Sequence, residues 1–374
     1  MKHFSRRSFL HNIGIGIGTT AVAATLPSFR DIPLLNDKPY DGKKINVALC
    51  GLGYYATNLL APALMESTYC RLAGIVTGTP SKANTWKEKY NIPQRNIYNY
   101  QNFDEIINNK DIDLVYVVLP NSMHKEFVIR TAKAGKHVIT EKPMATSVAD
   151  CKEMIKACKD ANVQLAVGYR LHYEPFNLEI NKYGREKVFG QVRLIEASFG
   201  FHIGDPTQWR LKKAFAGGGP LMDVGIYCIQ ACRNVLGEEP KTITAQFGNI
   251  TDKQKFSQVE ETITWQMEFP SGAVSNSTSS YNANLERFFA TADNGFFELS
   301  PAYGYGPIKG RSSKGELNLP VINHQTAQLN GIGKVLLENG TLPSHVSGEE
   351  GLRDTRILYA IYDAAASGKK VSLE

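Results

Sequence analysis

Acidic residues are missing from the first two dozen positions of this chain, and no block of five like charges occurs anywhere in its 374 residues. The second absence excludes a charged interaction tail. No basic stripe interleaved with aromatics appears, so nucleic acid is not an expected partner. Charged residues make up 21%, too few for a disordered chain when 43% are hydrophobic, and the length suits two domains. The six cysteines (Cys50, Cys70, Cys151, Cys158, Cys228, Cys232) form no Cys-x-x-Cys pair and no cluster with histidine, which disfavours a zinc site. Cys228 and Cys232 lie four apart on a helix-like stretch, a poor geometry for a disulfide, so buried free thiols are expected. The apolar stretch at 13–24 is too short and too interrupted by glycine and polar residues to span a membrane.

That stretch follows Ser5-Arg6-Arg7-Ser8-Phe9-Leu10 and runs into the small-residue triplet Ala21-Val22-Ala23. Residues 1–26 therefore resemble a twin-arginine export signal, with a plain basic N-terminus as the alternative. Proteins on that route cross the membrane already folded, commonly with a cofactor bound, and the expected compartment is the bacterial periplasm. No cysteine near the cleavage-like triplet offers a lipid anchor, so a membrane anchor is not expected. Lys2, Arg6 and Arg7 account for half of the formal +6, and basicity alone becomes a weak lead.

Residues 27–44, punctuated by Pro27, Pro33 and Pro39, read as an extended arm without a core of its own. From residue 45 strand-like and helix-like segments alternate. Strands are expected at 45–50, 70–77, 114–119, 137–140 and 164–167, with helices at 56–65, 82–90, 124–134 and 148–161 and one ending at 106–110. This alternation predicts a doubly wound parallel sheet, a Rossmann-type domain over 45–168. Beyond residue 169 period-two segments dominate: 191–201, 242–247, 262–269, 273–280, 288–292 and 295–299. Helices are expected at 176–183, 221–236 and 351–366. The fold class is thus α/β followed by α+β, with residues 169–374 forming a domain built on a large, mostly antiparallel open sheet. Such a sheet needs its free face covered, which points to a homodimer or homotetramer.

Gly51-Leu52-Gly53-Tyr54-Tyr55-Ala56 follows the first strand and opens the first helix. One glycine permits the tight turn, the next lets a pyrophosphate approach the backbone, and the small sixth residue allows close helix packing. NAD-binding versions carry an acid at the end of the second strand, to hold the ribose hydroxyls. Here that segment reads Val76-Thr77-Gly78-Thr79-Pro80-Ser81-Lys82, with hydroxyls and a cation suited to a 2′-phosphate. NADP is favoured over NAD, with Lys82 as a merely solvated first-turn residue the bland alternative.

Thr140-Glu141-Lys142-Pro143 ends a strand of the expected parallel sheet, where ligands bind in such folds. Gly217-Gly218-Gly219-Pro220 then leads into a helix carrying Asp223 and Tyr227, four apart and so on one face. They form either a satisfied core pair or the lining of a cleft.

Together, Gly-x-Gly-x-x-Ala, Glu-Lys-Pro and Gly-Gly-Gly…Asp…Tyr resemble the Gfo/Idh/MocA oxidoreductases, with the glucose–fructose oxidoreductase branch as the nearest form. Supporting stretches are Leu119-Pro120-Asn121-Ser122-Met123-His124, Gly168-Tyr169-Arg170 and Gln208-Trp209-Arg210-Leu211. The resemblance covers residues 45–370, with Tyr54 standing where that branch tends to carry Lys. It implies that Tyr227 takes the proton from a sugar C1 hydroxyl, Lys142 stabilises the phenolate, and Asp223 orients the sugar or the pair. It also implies cofactor or cleft positions at Gly51, Leu52, Gly53, Tyr54, Tyr55, Thr77, Gly78, Lys82, Tyr100, Leu119, Asn121, His124, Glu141, Lys142, Arg170, Trp209 and Arg210. His124 and His202 are equally readable as structural. The implied activity is oxidation of an aldose to a lactone on tightly held NADP, with a second sugar as acceptor. An NAD-dependent glycoside hydrolase of the same fold, a simple sugar or inositol dehydrogenase and a nucleotide-loaded binding protein are the alternatives.

Overall fold

The computed structural model describes residues 42–373; the expected export segment and the arm up to residue 41 lie outside the described residues. The alternating half folds into six parallel strands: β1 (Ile45–Cys50), β2 (Cys70–Val76), β3 (Ile97–Tyr98), β4 (Leu114–Val117), β5 (His137–Thr140) and β6 (Leu165–Val167). Their order is β3-β2-β1-β4-β5-β6. Every residue of β1, β4 and β6 is buried, as befits strands covered on both faces. The connecting helices are α1 (Ala61–Glu66), α2 (Pro80–Tyr90), α3 (His124–Lys133) and α4 (Val148–Asp160). Strand order reverses between β1 and β4, and the crevice beyond their carboxyl ends is where such sheets bind ligands. The helix expected to end near residue 110 is only a 3-10 turn, Phe103–Asn108.

The second sheet has nine strands: β7 (Val192–Gly200), β8 (Thr242–Phe247), β9 (Thr262–Glu268), β10 (Val274–Ser280), β11 (Leu285–Ala292), β12 (Gly295–Leu299), β13 (Gly310–Ser312), β14 (Gly315–Glu316) and β15 (Val371–Ser372). They are ordered β14-β13-β12-β11-β7-β10-β9-β8-β15, and only β7 and β10 run parallel. Period two sorts the faces: Ile263, Trp265 and Met267 of β9 are buried, while Thr264 faces outward. One face packs on α5 (Pro175–Arg185) and α7 (Ile226–Leu236), and the short α6 (Lys213–Ala216) precedes the glycine run. The other face is a shallow basin of about 670 Å³ lined by residues such as Glu196, Thr244, Gln266, Asn276 and Arg287.

Two helices, α8 (His324–Leu337) and α9 (Gly348–Ser367), return to the first sheet: α8 packs on α1, β1 and β2, and α9 on α4 and β6. The core is continuous through both layers. No helix was expected at α8, because Gly331, Gly333 and the amides of Gln325, Gln328 and Asn330 blur its apolar period. In the fold those amides are buried and hydrogen-bonded, Gln328 through its nitrogen alone. Asn330 Oδ1 accepts from Ser67 Oγ (2.7 Å) and the Thr68 amide (2.9 Å), and Gln328 donates to the Tyr116 hydroxyl (2.8 Å).

A buried ionic cluster fastens α7 to α9. Arg233 donates to Glu350 (2.7 Å) and Asp354 (2.5 Å), and Asp354 also accepts from Gln230 and from Tyr169 just beyond β6 (both 2.6 Å). All six cysteines are free and buried. No helix of the described residues is long and apolar enough to cross a membrane.

Candidate active site

The turn after β1 is packed tightly inside and open outside. Gly51 has φ of +99°, and a Cβ there would lie 2.3 Å from the Val118 carbonyl oxygen, so only glycine fits. A Cβ on Gly53 would meet nothing within 4 Å, leaving bare backbone exposed at the helix start, as close approach of a pyrophosphate requires. Leu52 is buried and its carbonyl accepts from Lys82 Nζ (3.1 Å), which sets a cation beside the turn. Tyr54 is 75% exposed, whereas Tyr55 turns inward, its ring 6.0 Å from that of Tyr305. At the end of β2, the Thr77 hydroxyl accepts from the Thr79 amide (3.2 Å). Gly78 lies under the Tyr100 ring, where a Cβ would come within 2.9 Å. The adenosine end of a dinucleotide would thus meet small residues, hydroxyls and Lys82.

Beyond β4 and β5, two of the residues implied at the cofactor or cleft are held by backbone oxygens of other loops. His124 is wholly buried, with Nε2 2.8 Å from the Leu119 carbonyl and Nδ1 3.0 Å from that of Pro143. Burial pushes its pKa down, against those carbonyls. Both ring nitrogens face backbone oxygens, so the imidazole ties two loops together instead of meeting a ligand. Arg170 is 2% exposed; its guanidinium donates to the carbonyls of Tyr303 and Gly304 (2.9 Å to the latter) and to His324 Nδ1 (2.8 Å). It is thereby fixed to that loop, while its Nε has no hydrogen-bond partner among the described residues. Asn121, also buried, donates to the Ala216 carbonyl (2.8 Å) and ties the β4 loop to α6.

The reactive groups meet between the sheets. Lys142 Nζ donates to the Asp223 carbonyl (2.6 Å) and to Asp223 Oδ1 (3.2 Å), and stands 4.9 Å from the centre of the Tyr227 ring. The Arg170 guanidinium lies 5.2 Å from the same ring. Phe199 and Tyr303 box the ring in at 5.6 and 6.3 Å. Asp223 and Tyr227 both lie beside Lys142, though not along a regular α-helix: Asp223 sits in a wide π-type turn, Leu221–Gly225, and Tyr227 in the first turn of α7. Asp223 Oδ2 accepts from Arg210 Nε and Tyr281 Oη (both 3.0 Å), so Arg210 is an Asp223 partner, with its guanidinium 4.7 Å from the Trp209 ring.

Charge states follow from these contacts. Burial opposes an ionised Asp223, but Arg210 and Lys142 outweigh it and hold the carboxyl well below the usual carboxylate range. Burial likewise opposes the Lys142 cation, yet Tyr227, Asp223 and Glu141 together raise its pKa. Glu141 is pushed up by burial, against the Tyr116 hydroxyl and Lys142. It accepts from that hydroxyl at 2.5 Å, where a Cβ on Gly168 would intrude to 2.6 Å. The arrangement is a phenol with two cations against its ring, above a carboxylate that stays anionic.

Several contributors have no counterpart among the expected residues. Tyr281 holds Asp223. Glu260 accepts from the Gly219 and Leu221 amides (2.9 and 3.1 Å) and from Tyr362 (2.8 Å), steadying the start of the catalytic helix. Tyr305 reaches the site from the loop between β12 and β13. The sequence marks that loop, 301–307, as one where substrate specificity lies, without singling out Tyr305.

Comparison with known proteins agrees with this geometry. The oxidoreductase family with an NAD-binding Rossmann fold, GFO/IDH/MocA, matches residues 45–169, and its C-terminal domain matches 178–298. A solved structure of aldose-aldose oxidoreductase from Caulobacter crescentus, complexed with glycerol, is 43% identical, with a TM-score of 0.86 over 88% of this chain and 100% of that one. D-xylose 1-dehydrogenase [NADP(+)] of Haloarcula marismortui is 26% identical over 88% of this chain and 93% of its own length. Trans-1,2-dihydrobenzene-1,2-diol dehydrogenase of Mus musculus is 26% identical over 71% of this chain and 78% of that protein.

Proposed function

The chain belongs to the Gfo/Idh/MocA family of NAD(P)-dependent oxidoreductases, and on that premise we propose that it oxidises the C1 hydroxyl of a cyclic aldose to a lactone. A second sugar is then reduced at the same site. The observation that carries this is the Tyr227 ring with Lys142 and Arg170 against it at 4.9 and 5.2 Å. An unassisted phenol titrates near ~10, so a tyrosine base at neutral pH needs adjacent positive charge. The names of the aldose-aldose oxidoreductase and the NADP-linked xylose dehydrogenase point to the same substrate class.

Gly51, Gly53, Thr77, Gly78 and Lys82 would hold the dinucleotide; the absence of an acid at 77–82 and the position of Lys82 favour NADP over NAD. When bound, the nicotinamide supplies the hydride acceptor for the first sugar and the donor for the second. Tyr227 removes the hydroxyl proton of the aldose and returns it to the carbonyl oxygen of the second sugar. Lys142 and Arg170 stabilise the charge left on the phenol. Asp223, already anionic, fixes Lys142 and Arg210 and takes no proton.

The twin-arginine-like segment supports export to the periplasm with nucleotide aboard. No exchanging NADP pool exists there, which is why the second sugar is needed to regenerate the enzyme. The outer face of the second sheet, open among the described residues, supports a homodimer or homotetramer. Mass spectrometry of nucleotide released from purified protein, followed by single-turnover absorbance at about 340 nm with aldoses, tests the whole. NADP release, lactone and a reduced second sugar are expected. Protein that carries no nucleotide, and forms neither product when NADP and sugar pairs are added, would sink the idea. A simple dehydrogenase, favoured by the xylose dehydrogenase likeness, would instead reduce free NADP continuously.

A further inference from the structure

The loop between β12 and β13 is held from both sides. From the β11 side, Glu286 Oε1 accepts the amides of Tyr303 (3.0 Å) and Gly304 (2.5 Å). From the opposite side, the Arg170 guanidinium donates to the carbonyls of the same two residues. Four backbone groups in two successive residues are thereby fixed by buried or half-buried charged side chains, and charge-assisted hydrogen bonds are the stronger kind. What this clamp presents is the next residue, Tyr305, which is 56% exposed although its ring rests 4.7 Å from the Arg170 guanidinium and 6.0 Å from the Tyr55 ring.

A large aromatic left this open, on a loop fixed this firmly, is not packing the core. It also points to the chemistry. Tyr227, Glu141 and Asp223 all lie close enough to the Tyr305 hydroxyl to oppose its ionisation. Arg170 touches both rings, at 5.2 Å from Tyr227 and 4.7 Å from Tyr305, so one buried cation spaces the proposed base from the exposed ring.

We propose that Tyr305 is a substrate-contacting specificity residue whose ring stacks on the C–H face of a cyclic sugar held against Tyr227. Sugar rings offer a patch of C–H groups between their hydroxyls, and a preformed aromatic surface covers that patch without leaving any polar group unpaired. A ring-shaped aldose seated on Tyr305 turns its C1 hydroxyl toward Tyr227, and an open-chain polyol cannot present such a face. The clamp matters because the ring is in place before the sugar arrives, so little ordering is needed on binding. This inference rests on the sugar reading of the site, and its test separates the two.

The test uses the full-length, nucleotide-loaded protein, with D-glucose and D-xylose as probes, and compares Tyr305→Ala with Tyr305→Phe. The exposed position predicts that both variants keep the melting temperature and bound nucleotide of the parent. In single-turnover reduction followed by absorbance, Tyr305→Ala raises the half-saturating aldose concentration by at least about tenfold, with the limiting rate within about threefold. Tyr305→Phe, which keeps the ring, stays within about threefold on both. A half-saturation unchanged in Tyr305→Ala, or a collapse of its limiting rate at unchanged half-saturation, overturns the proposal. Saturation-transfer NMR with aromatic irradiation is the second readout, independent of turnover. The parent protein passes saturation most strongly to the ring C–H protons on the aldose face opposite Tyr227, and Tyr305→Ala loses that excess. If the parent shows no such preference or the alanine variant keeps it, the stacking role is wrong even where oxidation occurs. If transfer behaves as expected but no aldose is ever oxidised, the failure belongs to the proposed reaction.

Discussion

Replacing Lys142 with methionine tests the electrostatic core of the mechanism. The Lys142 ammonium stands 4.9 Å from the centre of the Tyr227 ring, with 12% of its side chain exposed. Two unit charges about 5 Å apart, at an effective dielectric of ~20, interact by about 3 kcal/mol. If the phenol carries close to a full negative charge when the hydroxyl proton is transferred, losing that stabilisation slows the step by about a hundredfold. The fold should survive, because Asp223 keeps Arg210 and Tyr281 as partners. The assay is single-turnover reduction of the bound nicotinamide by a saturating aldose, after equal nucleotide content and melting temperature have been verified. The informative comparison is a double-mutant cycle with Tyr227→Phe. If Lys142 acts through the phenol, Lys142→Met adds little once the hydroxyl is gone. Two outcomes refute the reasoning: a Lys142→Met rate within about fivefold of the parent, or single-mutant losses that simply multiply in the double mutant. Either would mean that Lys142 only anchors the Asp223 turn.

Three other perturbations follow from the same contacts. Asp223→Asn leaves Lys142 and Arg210 without their anion and lowers stability at neutral pH by about 3–5 kcal/mol, read by denaturant unfolding. Because the Asp223 carboxyl titrates lower in the folded chain than in the unfolded one, its stabilisation is full above about pH 4 and drains away below it, so parent and variant converge in acid. Gly218→Ala places a Cβ 2.0 Å from the Tyr362 hydroxyl, which is bonded to the Glu260 carboxylate under the Leu221 amide. The aldose oxidation rate should fall by about tenfold or more with nucleotide content unchanged, and a near-parental rate would show that the helix start tolerates displacement. Arg233→Met takes the buried cation from Asp354 and leaves Glu350 with Arg353 alone, at about 3–5 kcal/mol in the same unfolding assay. Burial already pushes the Asp354 carboxyl up, so the loss should shrink as pH falls and that carboxylate protonates; a loss that grows in acid would contradict the buried-pair account.

Most of the framework was legible because it is written in short periods. The buried run Ile45–Cys50, the glycine turn behind it and the period-two segments each declare a local geometry, and the structure places strands or turns at all of them. The spacing of four pairs Asp223 with Tyr227, and both do stand beside Lys142 even though the turn between them is wide. Legibility ends where a buried polar group finds its partner far along the chain. The Glu260 carboxylate caps amides 39 and 41 residues upstream and meets a hydroxyl 102 residues downstream. Nothing near residue 260 marks that role. The amides of α8 broke its apolar period because their partners, Ser67 and Tyr116, lie more than two hundred residues away.

The same distance explains the residues whose chemistry was legible and whose placement was not. His124 and Arg170 stand in stretches that resemble those lining the cofactor or cleft. What positions them is the approach of other chain segments: Pro143 to one, Tyr303 and Gly304 to the other. Locked to a loop and laid against Tyr227, the Arg170 guanidinium is a fixed positive charge beside the proposed base, and the low-dielectric surroundings that make its burial costly also strengthen its effect there. The side chains that shape the reaction here are held by partners remote in sequence, so the active site depends on the long-range fold more than its compact motifs suggest.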